Sequence, residues 1–144
     1  MTTPAVITTP RTQVVIGFLT AAGWDVTQES GYPLYAGPEI LVSPDRAVFI
    51  TPTPGPGYTT EEGGTDAWGF QARLRGPSDD PVAAMAGAQL LDWTILTALT
   101  PAWVNGVRVI SCQRLGSTPS PLPLDPSDRR FEYTADYILI TGVT

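Results

Sequence analysis

Apolar residues recur along this 144-residue chain with two different periods. Val14, Val15, Phe18, Leu19 and Ala22 fall on one arc at helical spacing and predict a helix over 10–22. Thr9 stands where an N-cap belongs, Pro10 at the first helical position and Gly23 just past the end. A second helix is predicted over 81–99. Asp80 is its N-cap and Pro81 its first residue, and both Asp79 and Asp80 lie at the positive end of the helix dipole. Ala84, Ala88, Leu91, Ile95 and Leu99 form its core stripe, flanked by Met85 and Leu96. The back of this helix is also apolar: Ala86, Leu90 and Trp93 lie roughly opposite the stripe. A helix apolar on both sides is normally covered on both sides; here the second side meets another subunit, meets a second internal layer or is simply exposed.

The extended segments repeat every second residue. In 66–75, Trp68, Phe70, Ala72 and Leu74 face one way, and Gly69, Gln71, Arg73 and Arg75 the other. In 129–141, Phe131, Tyr133, Ala135, Tyr137 and Leu139 alternate with Glu132, Thr134 and Asp136. Residues 46–52 and 107–115 also read as strands, with a short one at Glu39–Ser43. Asn105-Gly106 is a turn signal. The economical assembly is one α+β domain spanning the chain, with an antiparallel or mixed sheet of about four to five strands and two helices packed on one face.

The chain holds 15 Pro and 14 Gly. Seventeen of these twenty-nine lie within 31–44, 51–66 and 116–126, so the helices and strands are largely clean of them. Long loops are therefore expected at 31–44, 53–65 and 116–128.

Composition narrows the chemistry. There is no His and no Lys, and Cys112 is the single cysteine. One chain then supplies no imidazole-activated nucleophile, no Schiff-base lysine, no disulfide and no zinc site of the usual N/S kind. Charged residues make up only 15% and the net charge is −6. So few charges point either to biased codon usage or to a surface covered by partner chains. The acidic balance disfavours non-specific duplex binding. No apolar run is long enough for a membrane span, and the opening Met1-Thr2-Thr3-Pro4 lacks the basic region of a signal peptide.

The remaining polar clusters have plain explanations. Glu61 and Glu62 with Asp66 lack the spacing of a calcium loop and read as a solvated loop. Asp79-Asp80 is accounted for by helix capping. Asp125, Asp128 and Asp136 are scattered, and a two-carboxylate hydrolase has no sugar cleft to mark it. The glycines of 55–64 stand outside any nucleotide-binding pattern. Arg73 and Arg75, with Arg108, Arg114, Arg129 and Arg130, balance charge on a solvated sheet face, pair across subunits with the acidic loop or the Asp79-Asp80 turn, or recognise phosphate. Cys112 reads as an inert small hydrophobe.

Two stretches carry a resemblance. One runs Gln71-Ala72-Arg73-Leu74-Arg75-Gly76, Asp79-Asp80-Pro81 and an Ala-rich helix ending in Leu96–Leu99. The other is the 107–114 strand, a Pro-rich segment with Leu122, Leu124 and Asp125, then Asp128-Arg129-Arg130-Phe131 and the final Tyr137-Ile138-Leu139-Ile140. In this order they resemble the tail-terminator (minor capsid or tail-completion) proteins of long-tailed bacteriophages, over about residues 10–142. The resemblance implies a virion protein, made in the host cytoplasm, that forms a ring of typically six subunits at the head-proximal end of the tail tube. It also implies itself, the major tail tube protein and head–tail connector or neck proteins as partners, DNA passing through without sequence-specific binding, and no cofactor or catalytic residue. Another head–tail joining protein is the nearest alternative, and a carboxylate-based hydrolase a distant one. Leu90, Trp93, Arg73, Arg75, Asp79, Asp80, Arg129 and Arg130 are the candidate subunit interface. Tyr58, Glu61, Glu62 and Asp66 are the candidate loop toward tube or lumen.

Overall fold

A computed structural model describes residues 9–24, 31–36, 46–59, 64–77, 79–99, 101–104, 106–122 and 130–142. The elements follow the order α1 (Arg11–Ala21), β1 (Leu34–Ala36), β2 (Ala47–Thr59), β3 (Thr65–Arg75), α2 (Pro81–Ala98), β4 (Ala102–Val104), β5 (Val107–Pro121) and β6 (Glu132–Gly142). The strands form one six-stranded sheet in the order β1-β2-β3-β6-β5-β4. Only β1 runs parallel to its neighbour; the other pairings are antiparallel. The expected α+β class with a mixed sheet is observed, with six strands where four to five were expected.

The ends of the helices show why they begin and stop there. The Asp80 carboxylate accepts a hydrogen bond from the Ala83 amide at 3.0 Å, with Pro81 at the first helical position. This is the cap the sequence predicts. At α1 the cap position belongs to Pro10 and no side chain caps the helix, so Thr9 does not play that part. The far end of α1 closes as a Schellman motif. The Trp24 amide donates to the Leu19 carbonyl and the Gly23 amide to that of Thr20, at 2.9 and 3.0 Å. Gly23 takes φ +97°, a conformation that favours glycine. Ala22, expected on the apolar arc, is instead the exposed C-cap.

One face of the sheet carries the core. Val48 and Ile50, then Trp68, Phe70, Ala72 and Leu74, then Ala135, Tyr137 and Leu139 are all buried with Val14, Val15, Phe18 and Leu19 of α1 and Ala88, Leu91 and Ile95 of α2. Burying each large apolar side chain contributes roughly 1.5–3 kcal/mol. Phe70 stacks on Tyr137 across β3 and β6, centroids 5.0 Å apart. The helices are tied together where Trp24 donates its indole N–H to Thr94 Oγ1 at 3.1 Å.

The loops expected from proline and glycine are shorter than predicted. β2 continues through 53–59 with a register shift between Thr53 and Gly57, and β5 continues through 116–121 with a shift between Leu115 and Ser120. Irregular pairing absorbs the residues that regular strands reject. β1 and β4 were not foreseen, because three residues show no periodicity. β4 pairs Val104 with Val107, and Gly106, just before β5, has φ +78°; Asn105 of the expected turn lies outside the described residues. The expected strand at Glu39–Ser43 lies outside the described residues.

Candidate interaction surface

α2 settles over the sheet with Ala84, Ala88, Leu91 and Ile95 buried, and this leaves its opposite side outward. Val82 is 78% exposed, Trp93 64%, Leu90 51% and Met85 50%. Pro81, Ala86, Gln89 and Thr97 are exposed beside them. This outward side carries no charged residue, although long charged side chains normally cover an exposed helix face. Leu90 and Trp93 thus stand where the periodicity placed them. Met85 does not: it was expected to flank the core stripe and instead joins the exposed face. Val82 belongs to that face too, and its position one turn before Ala86 was the available signal.

Between α2 and β5 lies a cleft of about 380 Å³, bounded by Met85, Ala88, Gln89, Asp92, Arg114, Pro119, Pro121 and Tyr133. Its acidic group is Asp92, which accepts a hydrogen bond from the Tyr137 hydroxyl at 2.6 Å and is ion-paired with Arg114. Burial, reinforced by the hydrogen bond to Asp92, pushes the Tyr137 phenol far above its ordinary range. Burial and then the Asp92 charge push the Cys112 thiol up to about 12. The thiolate share at neutral pH falls accordingly, and with it the nucleophilicity of the sulfur. Asp92 is the one carboxylate lining this cleft among the described residues, whereas glycoside hydrolysis needs two that flank the bond. Among the described residues no three His, Cys, Asp or Glu side chains gather to hold a metal.

The arginine pair occupies the other face of the sheet. Arg75 and Arg73 both bind Glu132 of β6, Arg75 through its Nε at 3.1 Å. Arg75 is 4% exposed, and its guanidinium lies 5.3 Å from the Phe49 ring. Phe49 is itself stacked on Tyr35 of β1 at 5.5 Å. The partner of these arginines is thus a carboxylate directly across the sheet, in a buried cluster rather than on a solvated face. Arg75 therefore contributes little surface of its own, while Arg73 keeps a 30% exposed side chain. Asp79 and Asp80 are exposed at the start of α2, with Asp79 at φ +59°. Arg130 is half-buried, and Arg129 lies outside the described residues.

Asp66 separates from the loop group it was assigned to. It sits on β3 at 1% exposure and accepts a hydrogen bond from Arg11 at 2.9 Å, with the same guanidinium 5.7 Å from the Trp68 ring. It ties α1 to the sheet. Tyr58 falls within β2, and Glu61 and Glu62 lie outside the described residues. Neither Asp92–Arg114 nor Arg75–Glu132 was legible beforehand, because each joins elements distant in sequence. Among the described residues no helix is long and apolar enough to cross a membrane.

No protein-family model matches this chain, and no curated protein matches it. Its fold does have a counterpart among solved structures. A chain described as "Virion of native gene transfer agent (GTA) particle" superposes with a TM-score of 0.55, covering 96% of this chain and 98% of that one at 15% identity. The likeness is one of fold, and it extends over nearly the whole of both chains.

Proposed function

We propose that this chain is a structural protein of a phage-type virion that closes into a ring, of six copies, at the head-proximal end of the tail tube. There it stops tube polymerisation and joins the tail to the head connector. The observation that carries the reading is the end-to-end fold likeness to a chain of a gene transfer agent virion particle. The order of motifs from Gln71 to Ile140 supports the finer assignment, and the uncharged outer side of α2 supports an assembled state.

Termination on this reading is a matter of shape. One face of the ring fits the last tube ring, and the other offers no surface for a further tube subunit. Leu90 and Trp93 make the contact between copies, with Arg73, Asp79, Asp80 and the 129–130 arginines at its polar rim. The 58–62 segment faces the tube or lumen. A heterologous contact of this kind closes when its rotation divides the circle, and otherwise gives a filament. With a net charge of −6 the ring lets DNA pass without holding it.

Sedimentation at micromolar concentration, alone and with purified tail tubes, tests this. The expected species has a mass of about 92 kDa, six times 15.4 kDa, and it caps tube ends. A chain that stays monomeric both alone and with tubes refutes the proposal. Capture on isolated head connectors without any effect on tube growth would move the assignment to another head–tail joining protein. Trp93→Glu should release folded subunits from the ring, since Trp93 is largely exposed in the single chain. Unfolding of that variant would count against Trp93 as an intersubunit contact.

A further inference from the structure

We propose that the outer edge of β2 is built to refuse another strand, so that the sheet cannot extend through β2 onto a second chain. β1 covers this edge only at Val48, Phe49 and Ile50. Successive residues of a strand turn their N–H groups to alternate sides. The side taken by each residue is known from one bond: the Val48 amide donates outward to the Pro33 carbonyl, at the start of β1, at 2.9 Å. By alternation the nitrogens of Ile50, Pro52 and Pro54 face outward as well. Those of Thr51 and Thr53 face β3, where they lie opposite Gln71 and Gly69.

The first outward positions beyond β1 are therefore both proline, and a proline nitrogen has no hydrogen to give. Immediately afterwards the register shifts, and Pro54, Gly55 and Pro56 together span the place of Trp68 on β3. An incoming strand would meet the Pro52 carbonyl without a donor beside it, and then a bulge that breaks the spacing and turns the Pro54 carbonyl toward Gly69 of β3. These are two of the devices by which sheet edges avoid pairing with other chains. In the opposite phase the same prolines would each cost a hydrogen bond to β3. Among the described residues no strand other than β3 pairs with this stretch, and Pro52 and Pro54 are exposed.

The excluded partner is an extended segment seeking main-chain hydrogen bonds, a second copy of β2 foremost. Copies must then meet through side-chain surfaces. This inference stands apart from the proposed role in a virion. An open β2 edge pairs antiparallel with its own copy whatever else the protein assembles with.

The test compares the full chain, by sedimentation and amide exchange, with a Pro52→Thr, Pro54→Thr variant that also lacks Gly55 and Pro56, so that both the missing donors and the bulge are removed. The expected variant species has at least twice the wild-type mass at equal concentration, with the new amides at 52 and 54 protected. A variant with unchanged circular dichroism, wild-type mass and freely exchanging amides at 52 and 54 overturns the proposal. If that variant fails to fold, Pro52→Thr with the same two-residue deletion carries the readout at residue 52. The wild type supplies an independent check: Thr51 and Thr53 amides must be protected by β3, and free exchange at both would reverse the phase and end the argument.

Discussion

Replacing Glu132 by alanine should be the most damaging single change on the outer face of the sheet. Glu132 is the shared partner of Arg73 and Arg75, and the three side chains are 12%, 30% and 5% exposed. The two arginines differ in what they lose. Arg73 can turn toward water, and a partly exposed pair of that kind is worth under about 1 kcal/mol. Arg75 is held between strands and over the Phe49 ring, so its charge would stay inside with one fewer counter-group. Removing one partner of a buried pair costs about 3–5 kcal/mol; the lower end applies because Glu132 is not fully enclosed. An unfolding entropy of about 2.1 cal/mol/K per residue over 144 residues turns about 3 kcal/mol into a fall of about 10 °C in Tm. Calorimetry at neutral pH reads this directly, with Asp136→Ala as the control, since Asp136 makes only a 3.4 Å hydrogen bond with Gln71. A Glu132→Ala variant melting within about 3 °C of the wild type would show that water reaches Arg75 and that the buried-charge argument is wrong. Replacing Arg75 and Glu132 together by Met and Leu should recover much of the loss, because an apolar pair leaves no stranded charge.

Further measurements bear on other parts of the structure. Asp80→Ala should cost about 1 kcal/mol in urea unfolding through loss of the α2 cap, while Asp79→Gly should cost less, because glycine relieves the positive φ that Asp79 holds. Equal effects of the two would disprove the capping assignment. Gly76→Ala should lose about 1–3 kcal/mol, since its Cβ would stand 2.4 Å from that of Ala84, where β3 passes under the start of α2. A neutral result would mean that α2 shifts freely on the sheet. Stability should fall as pH rises above about 9, because Cys112 and Tyr137 stay protonated in the folded chain while the unfolded chain ionises. Each group adds a slope of about 1.4 kcal/mol per pH unit in its window, from 9 to about 12 for the thiol and from 10 upward for the phenol. Cys112→Ala should flatten the thiol's share, and an unchanged slope would show the thiol to be solvated.

The amphipathic elements were determined by the chain itself. Ala84, Ala88, Leu91 and Ile95 at helical spacing, and Trp68 to Leu74 at spacing two, leave one way for each segment to bury its apolar side, and that is how they pack. Asp80-Pro81 and Gly23 mark helix ends because capping and positive φ are local requirements, met within a few residues. The exposed position of Leu90 and Trp93 followed from the same period. Tertiary structure decided what depends on neighbours. Prolines at 54, 119 and 121 argued for loops, yet all three lie in strands, β2 with β1 on its outer side only at Val48–Ile50 and β5 with β4 only at Val107–Val109. Whether a missing N–H matters depends on which side of the strand it faces, and no single segment encodes that. Asp66 read as a loop carboxylate until Arg11, 55 residues away, closed over it. The pairings of Arg75 with Glu132 and of Asp92 with Arg114 and Tyr137 likewise arise only when strand register brings distant charges within a few ångströms, where burial rather than sequence sets their strength.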